Sequence, residues 1–186
     1  MFQDCMVDVE TTGLNSGRNA MIQLAAVRFN VHDGTIDTSS MFDECLMIPP
    51  HRFWDEGTRG WWMTQKRSIL EGIYSRMRDP REVMRKFTEW CGPAGLLRFW
   101  AKPTSFDFPF VQSYCADYGL VMPFNFRESI DLRSFAAGVG FPGPRFEPDV
   151  NREEYEQHNA LQDVILQIEW VLKIAEHAKG GRLIDA

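Results

Sequence analysis

The N-terminal segment "CMVDVETTGL" (residues 5–14) carries two carboxylates one residue apart on what its apolar neighbours predict to be a buried strand. Because side chains alternate along a strand, Asp8 and Glu10 face one side while Val7 and Val9 face the other. Two ionised carboxylates on a buried face repel each other and lose hydration, which is costly unless a cation neutralises them. A hard divalent cation with oxygen ligands meets that need. The pair alone leaves open an edge strand whose carboxylates face water.

The longer string "VDVETTGL" (residues 7–14) resembles the first motif of the DEDD superfamily of 3′→5′ exonucleases, which includes proofreading exonucleases, RNase T and oligoribonuclease. In these families the Asp and the Glu bind metal ions, and the Thr-Thr-Gly-Leu segment lines the terminal nucleotide. The resemblance therefore implies substrate contacts from Thr11, Thr12, Gly13 and Leu14, with Leu14 as a wedge against the terminal base. Glycine at position 13 also allows backbone conformations closed to other residues.

A third carboxylate, Asp107 in "SFDFPF", follows a strand predicted at residues 96–101 and stands at the mouth of a predicted helix. It resembles the second motif of the superfamily, where an aromatic or apolar residue precedes the Asp, and Phe106 is accordingly a candidate substrate contact. Judged locally, Asp107 is as well explained as a helix N-cap with Pro109 in the first turn. Together with the first motif, the catalytic interpretation is preferred.

The fourth carboxylate lies in "HNALQDVILQ", where His158 precedes Asp163 by five positions. This spacing is typical of the DEDDh branch of the superfamily, whereas the DEDDy branch has a Tyr at the position held here by Asn159. A lone His before a helix is usually an ordinary exposed residue. Asp163 adjoins the apolar stripe that begins at Val164, so its carboxylate is expected near the buried edge of its helix and in need of a partner.

The resemblance implies a two-metal mechanism with Mg²⁺ or Mn²⁺ as cofactor. Asp8 would bridge both ions, Glu10 and Asp163 would complete the site of the ion that activates the nucleophile, and Asp107 would support the second. His158 would be the general base, since an ordinary pKa of about 6.5 lets it accept a proton near neutral pH.

The expected function is 3′→5′ hydrolysis of single-stranded nucleic acid to nucleoside 5′-monophosphates, with RNA slightly favoured over DNA. A homodimer is a further expectation, because RNase T-like relatives pair. The alternative is a non-catalytic nucleic-acid-binding or partner-docking module that retains the fold. The four carboxylates and the histidine favour the enzyme, since a degenerate module is expected to lose a clustered carboxylate that nothing neutralises.

Residues 59–86 carry a net charge of +5 in a chain whose net charge is −6. A solvated helical face explains such a run at least as often as a phosphate-binding patch does. Trp61 and Trp62 lie inside it, where base stacking and phosphate attraction could act together on a single strand. Trp62 is predicted as a substrate contact, whereas Trp61 is more readily explained as core. The "WWMTQ" run resembles a segment in the branch of polyadenylate-specific RNase AS and exodeoxyribonuclease VIII-like proteins.

The elements that must position these groups follow from periodicity and turn signals. Strands are predicted at residues 5–9, 22–31, 36–48, 96–101 and 129–132. Helices are predicted from the Asp79 cap to Gly92 and at residues 108–118 and 159–178, with a mixed loop-and-helix region at 57–77 and a loop at 138–149. These predict an α/β chain with a mixed five-stranded sheet flanked by helices on both faces, and the resemblance implies an RNase H-like fold.

Composition limits the remaining possibilities. With 44% hydrophobic and 25% charged residues, the 186-residue chain is expected to be one globular domain, residues 1–186. The resemblance implies that this domain is of the DEDDh exonuclease type. No apolar run approaches membrane-spanning length and no signal-peptide layout is visible, so we expect no membrane partner and a cytoplasmic location. The four cysteines include no C-x-x-C pair, which favours buried thiols over a zinc site.

Overall fold

The computed structural model describes residues 2–142, 147–150, 155 and 158–180. Six strands in the described part form one mixed sheet with the order β4-β3-β2-β1-β5-β6. Strand β2 is antiparallel to both of its neighbours, β1 and β3, and the other three pairings, β3 with β4, β1 with β5 and β5 with β6, are parallel. The strands are β1 (Asp4–Thr11), β2 (Met21–Phe29), β3 (Phe42–Leu46), β4 (Met77–Arg78), β5 (Arg98–Ala101) and β6 (Ile130–Asp131).

Helices cover both faces of this sheet. They are α1 (Glu56–Trp62), α2 (Arg67–Arg76), α3 (Pro80–Cys91), α4 (Thr104–Asp117), α5 (Leu132–Gly138) and α6 (Ala160–Gly180). Apolar side chains of α3 and α4 pack on one face, against Cys5, Val7 and Val9 of β1. Those of α5 and α6 pack on the other face, where Met6 belongs to the same core.

The alternation predicted for β1 is confirmed. Val7 and Val9 are buried on the α3–α4 face, so Met6, Asp8 and Glu10 face α6. The strand is central in its sheet, with β2 on one side and β5 on the other. The alternative of two carboxylates on a solvated edge strand is therefore wrong.

The clearest predicted helix boundary is also confirmed. The Asp79 carboxylate accepts hydrogen bonds from the backbone N–H groups of Arg81 and Glu82 at the start of α3, and Pro80 is its first residue. The helix ends at Gly92, whose φ of +78° lies in the positive range that glycine adopts most readily. All four cysteines are buried and free, as expected.

Other boundaries differ from the predictions. The sheet has six strands rather than five, because Met77–Arg78 adds a two-residue parallel strand beside β3. The third strand occupies only Phe42–Leu46 of the predicted residues 36–48, although Ile36 forms an isolated bridge with Phe29. Helix α5 was not predicted.

Part of the predicted loop at 138–149, residues 143–146, lies outside the described residues, as does Gly181 of the predicted helix stop. None of the helices that the structure describes is long and apolar enough to cross a membrane.

Candidate active site

Asp8 and Glu10 lie near the C-terminal end of β1, on the face crossed by α6. The Gln167 side-chain amide of α6 donates to Asp8 Oδ1 at 2.9 Å, which fixes the orientation of that carboxylate. The pairing register of β1 with β2 shifts between Glu10 and Thr11, so the regular ladder ends just after the second carboxylate. Glu10 is buried, and Asp8 keeps part of its surface open to the cleft.

Asp107 reaches the same place from the opposite face of the sheet. Helix α4 begins at Thr104, whose backbone N–H donates to Asp131 Oδ2 at 3.1 Å, so Asp107 is inside the first turn rather than at the N-cap. The purely capping interpretation of Asp107 is thus wrong. Its buried carboxylate instead accepts from the backbone N–H of Val9 at 3.1 Å, which docks it against the end of β1.

His158 and Asp163 complete the cluster at the start of α6. The backbone N–H of His158 donates to Asp163 Oδ2 at 3.1 Å, and His158 has a left-handed φ of +63°, unusual for a residue with a side chain. One ligand atom each from Glu10, His158 and Asp163 lie within 4.8 Å of one another. Residues from two distant segments of the chain therefore converge on one small volume.

The electrostatics of this cluster are unfavourable without a cation. Burial, followed by the charge of Asp163, raises the pKa of Asp8 to about 7. Burial also raises the pKa of Asp163 to about 6. Burial and neighbouring carboxylates raise the pKa values of Glu10 and Asp107 well above their ordinary range. Four such groups cannot all ionise at neutral pH unless a positive charge joins them, and a set of carboxylate oxygens suits Mg²⁺ or Mn²⁺.

The imidazole of His158 is held by aromatic neighbours. The ring of Trp61 meets it edge to face at a centroid distance of 4.7 Å, and that of Trp62 is at 6.5 Å. Partial burial lowers the pKa of His158, so the ring is neutral at pH 7 and able to accept a proton.

A cavity of about 530 Å³ opens beside the carboxylates. Its walls include several residues that the sequence identified as substrate contacts, together with Trp61. Leu14 projects into solvent with 80% of its surface exposed, as a wedge must. The lining comprises Val9, Glu10, Thr11, Leu14, Asp55, Gly57, Thr58, Trp61, Trp62 and Phe106.

Two of the residues expected near the substrate act instead within the protein. Thr12 is fully buried, and its hydroxyl donates to the carbonyl of Phe53 at 2.8 Å while accepting from the backbone N–H of Ala20. Gly13 is not among the glycines with a positive φ, so its backbone does not use the conformations that only glycine allows. It is needed because a Cβ there would lie 2.3 Å from the side chain of Asn19.

The expectation for the tryptophan pair is reversed. Trp62 is 3% exposed, packs in a small core with Ile22 and Ile69, and donates from its indole N–H to the carbonyl of Thr11 at 3.0 Å. Trp61 is 41% exposed and turns toward His158. The prediction that Trp61 is core is therefore wrong, whereas Trp62 lines the cavity together with Trp61, and its contact with substrate stays a prediction.

Much of the basic stretch is neutralised by neighbouring acids rather than displayed as a patch. Ion pairs join its members to β3 and to their own helices: Arg67–Glu71, Arg76–Asp43, Arg78–Glu44, Lys86–Glu82 and Arg85–Glu89. Arg81 lies over the ring of Tyr118. The solvated-face interpretation fits these residues.

Two residues that the sequence interpretation missed hold the site together. Gln167 is four residues after Asp163, so one face of α6 supplies both groups, a spacing that could have revealed it. Arg52 is buried, donates to the carbonyls of Ser16 and Asn19 in the loop after β1, and pairs with Asp117 of α4 at 2.7 Å. No local pattern marks such a connection.

Comparison with known proteins agrees with this geometry. The family model of the 3′-5′ exoribonuclease Rv2179c-like domain matches residues 3–175. A search of curated proteins finds no match. Among solved structures, cell-death related nuclease 4 (CRN-4) superposes with a TM-score of 0.64 at 18% identity, over 94% of this chain and 64% of the other.

Two further structures share the fold. The nuclease domain of 3′hExo, a DEDDh family member bound to rAMP, has a TM-score of 0.64 at 16% identity over 92% of this chain and 90% of its own. E. coli exonuclease I in complex with a dT13 oligonucleotide has a TM-score of 0.63 at 13% identity over 98% of this chain and 43% of the other. The chain thus spans less than two thirds of CRN-4 and less than half of exonuclease I. The RNase H-like fold that the resemblance implied is confirmed.

Proposed function

The chain belongs to the 3′-5′ exoribonuclease Rv2179c-like domain family and is a 3′-5′ exonuclease, and from that premise we propose that it hydrolyses single-stranded RNA to nucleoside 5′-monophosphates. The observation that carries the proposal is the convergence of four carboxylates and a neutral histidine beside a cavity of nucleotide size. Scattered acidic residues would have left the sequence motifs without a site.

We propose that the carboxylates hold two divalent cations, Mg²⁺ or Mn²⁺; the ligands would be Asp8, Glu10, Asp107 and Asp163. Bound there, the cations would activate a water molecule and stabilise charge on the leaving oxygen. The donor set fits them because it consists of carboxylate oxygens, whose pKa values are raised by burial and by the charges of neighbouring carboxylates.

His158 would accept the proton of the attacking water. Its ring nitrogen lies within 4.8 Å of the Glu10 and Asp163 oxygens, and its lowered pKa keeps it unprotonated at neutral pH. The hydrogen bond from its backbone to Asp163 ties the position of the base to that of a ligand. Trp61 closes the outer side of the ring.

The terminal nucleotide would occupy the cavity of about 530 Å³. Leu14 would wedge against its base, and Trp61 and Phe106 would supply apolar and aromatic walls. The preference for RNA rests on the exoribonuclease family and is a proposal, because exonuclease I, which shares the fold, is bound to a deoxyoligonucleotide. Dimerisation and cytoplasmic location stay predictions.

The discriminating experiment compares end-labelled single-stranded RNA, single-stranded DNA and both duplexes in parallel, with Mg²⁺ or Mn²⁺. We expect labelled 5′-monophosphate from 3′-labelled single-stranded RNA, slower release from DNA, and no release in excess chelator. Asp8→Ala serves as the matched inactive variant. Binding of RNA without metal-dependent release would favour the alternative, a non-catalytic module that retains the fold.

A further inference from the structure

A second cavity, of about 270 Å³, also adjoins the carboxylate cluster. Asp8, His158 and Asp163 form its inner wall, whereas Glu10 lines the first cavity. The clustered carboxylates therefore lie where the two cavities meet. The remaining lining residues of the second cavity are Lys102, Arg133, Leu166, Gln167 and Trp170.

The two cavities differ in chemistry. Leucine and aromatic side chains dominate the first, which suits a base and sugar, while the second has two cationic side chains in its wall. Lys102 is committed to the protein: its ammonium pairs with Glu147 and lies 3.9 Å from the ring centroid of Trp170. Burial raises the pKa values of Asp8 and Asp163, and the positive charge of Lys102 offsets part of that rise.

Arg133, unlike Lys102, has no ion-pair partner among the described residues. It is exposed at the start of α5, and its guanidinium makes no hydrogen bond or ion pair with any residue in the described part of the chain. Most other arginines pair with a carboxylate or lie over an aromatic ring. A guanidinium without a protein partner, in the wall of this cleft, can bind a phosphate through two parallel hydrogen bonds.

In hydrolysis of a phosphodiester, the bond that breaks joins phosphorus to the 3′-oxygen of the preceding nucleotide, and water supplies the oxygen that replaces it. With the terminal nucleoside in the first cavity, the upstream strand would pass the carboxylates and enter the second cavity, which Asp8 and Asp163 line. We propose that this cavity is the subsite for the upstream strand and that Arg133 binds the phosphate 5′ to the scissile one; the proposal rests on the exonuclease function above.

The experiment compares two substrates that differ in the upstream phosphate. One is a single-stranded oligonucleotide, and the other is the p-nitrophenyl ester of a nucleoside 5′-monophosphate, ribo or deoxy, which has no upstream nucleotide. Arg133→Ala should lower the ratio of kcat/KM for the oligonucleotide to kcat/KM for the ester about tenfold, the loss typical of one charge-assisted hydrogen bond. Arg133→Lys should recover part of that ratio.

Arg127→Ala is the matched control, because Arg127 is an exposed arginine that lines neither cavity and whose guanidinium, among the described residues, contacts only the adjacent Phe126 ring. It should leave the ratio unchanged. Binding gives a second readout: in a His158→Ala background, the slope of log affinity for the oligonucleotide against log salt concentration should shrink by about 0.7 when Arg133 is replaced.

An equal loss on both substrates, or no loss on either, would overturn the assignment of Arg133 to the upstream phosphate. A wild-type protein that hydrolyses neither substrate with Mg²⁺ or Mn²⁺ would instead overturn the exonuclease function itself, so the two failures are distinguishable. A normal ratio for Arg133→Ala together with an unchanged salt slope would show that the strand leaves by another route.

Discussion

The carboxylate cluster should make the metal-free protein less stable as pH rises, and Asp8→Asn should remove much of that dependence. Asparagine keeps the shape of the side chain and an oxygen that can accept the hydrogen bond from Gln167. It removes the negative charge of Asp8, which is disfavoured by burial and by the charge of Asp163. The variant therefore isolates the electrostatic cost of Asp8 with little loss of packing.

The sign follows from proton linkage. The pKa of Asp8 is about 7 in the folded protein and 3.8 ordinarily, so the folded state holds a proton that the unfolded state has released. The associated stability is fully present below about pH 4 and is lost as pH rises through about 7. At about 1.4 kcal/mol per pKa unit, the whole effect is about 4 kcal/mol. This is an upper limit, because Asp8 keeps part of its surface open to the cleft.

Between pH 5 and pH 8, roughly 2 to 3 kcal/mol of this effect should be lost. Urea denaturation of wild type and Asp8→Asn in excess chelator measures it, and the difference between the two proteins cancels the contributions of titrating groups that do not interact with Asp8. We expect Asp8→Asn to be the more stable protein at pH 8. Saturating Mn²⁺ should stabilise the wild type far more than the variant. Parallel pH profiles for the two proteins would refute the cluster electrostatics.

Three further outcomes test separate parts of the site. His158→Ala should retain Mn²⁺ stabilisation in a thermal-shift assay and lose roughly 10²- to 10⁴-fold in turnover, and unchanged turnover would remove the base from the mechanism. Arg52→Met should lower the free energy of unfolding by about 3 kcal/mol, because it leaves the partly buried carboxylate of Asp117 without its arginine partner. As a control, Arg67→Met at the exposed pair with Glu71 should change the free energy of unfolding by less than about 1 kcal/mol. Leu14→Ala should leave stability within about 0.5 kcal/mol, since the side chain is exposed, and raise KM; equal KM values would exclude the wedge.

The part of the site that the sequence predicts is the part that local chemistry controls. Strand alternation places Asp8 and Glu10 on one face, and the five-residue interval from His158 to Asp163 fits one turn leading into a helix. Spacing of this kind survives folding because neighbouring residues share one element. The convergence of these segments with Asp107 follows from the family resemblance rather than from the spacing.

The predictions that proved wrong concern features that depend on contacts between distant residues. Adjacent positions on a helix point about 100° apart, so one residue of a Trp-Trp pair on a surface helix faces inward. The hydrogen bond from the Trp62 indole N–H to the carbonyl of Thr11 shows that Trp62 is the inward-facing residue. The sequence around the pair does not predict that bond. Likewise, the start of α4 is set by Asp131, whose carboxylate accepts from Thr104, and the local pattern around Pro109 points to a later start.

The hydrogen bonds of the cluster carry a last argument for catalysis. Asp8, Asp107 and Asp163 each use one carboxylate oxygen to accept a positioning hydrogen bond, from Gln167, from the backbone of Val9 and from the backbone of His158. For Asp8 and Asp163, no hydrogen bond from a described residue occupies the second carboxylate oxygen. One oxygen oriented by the protein and one left for a shared cation is the arrangement that metal ligands require.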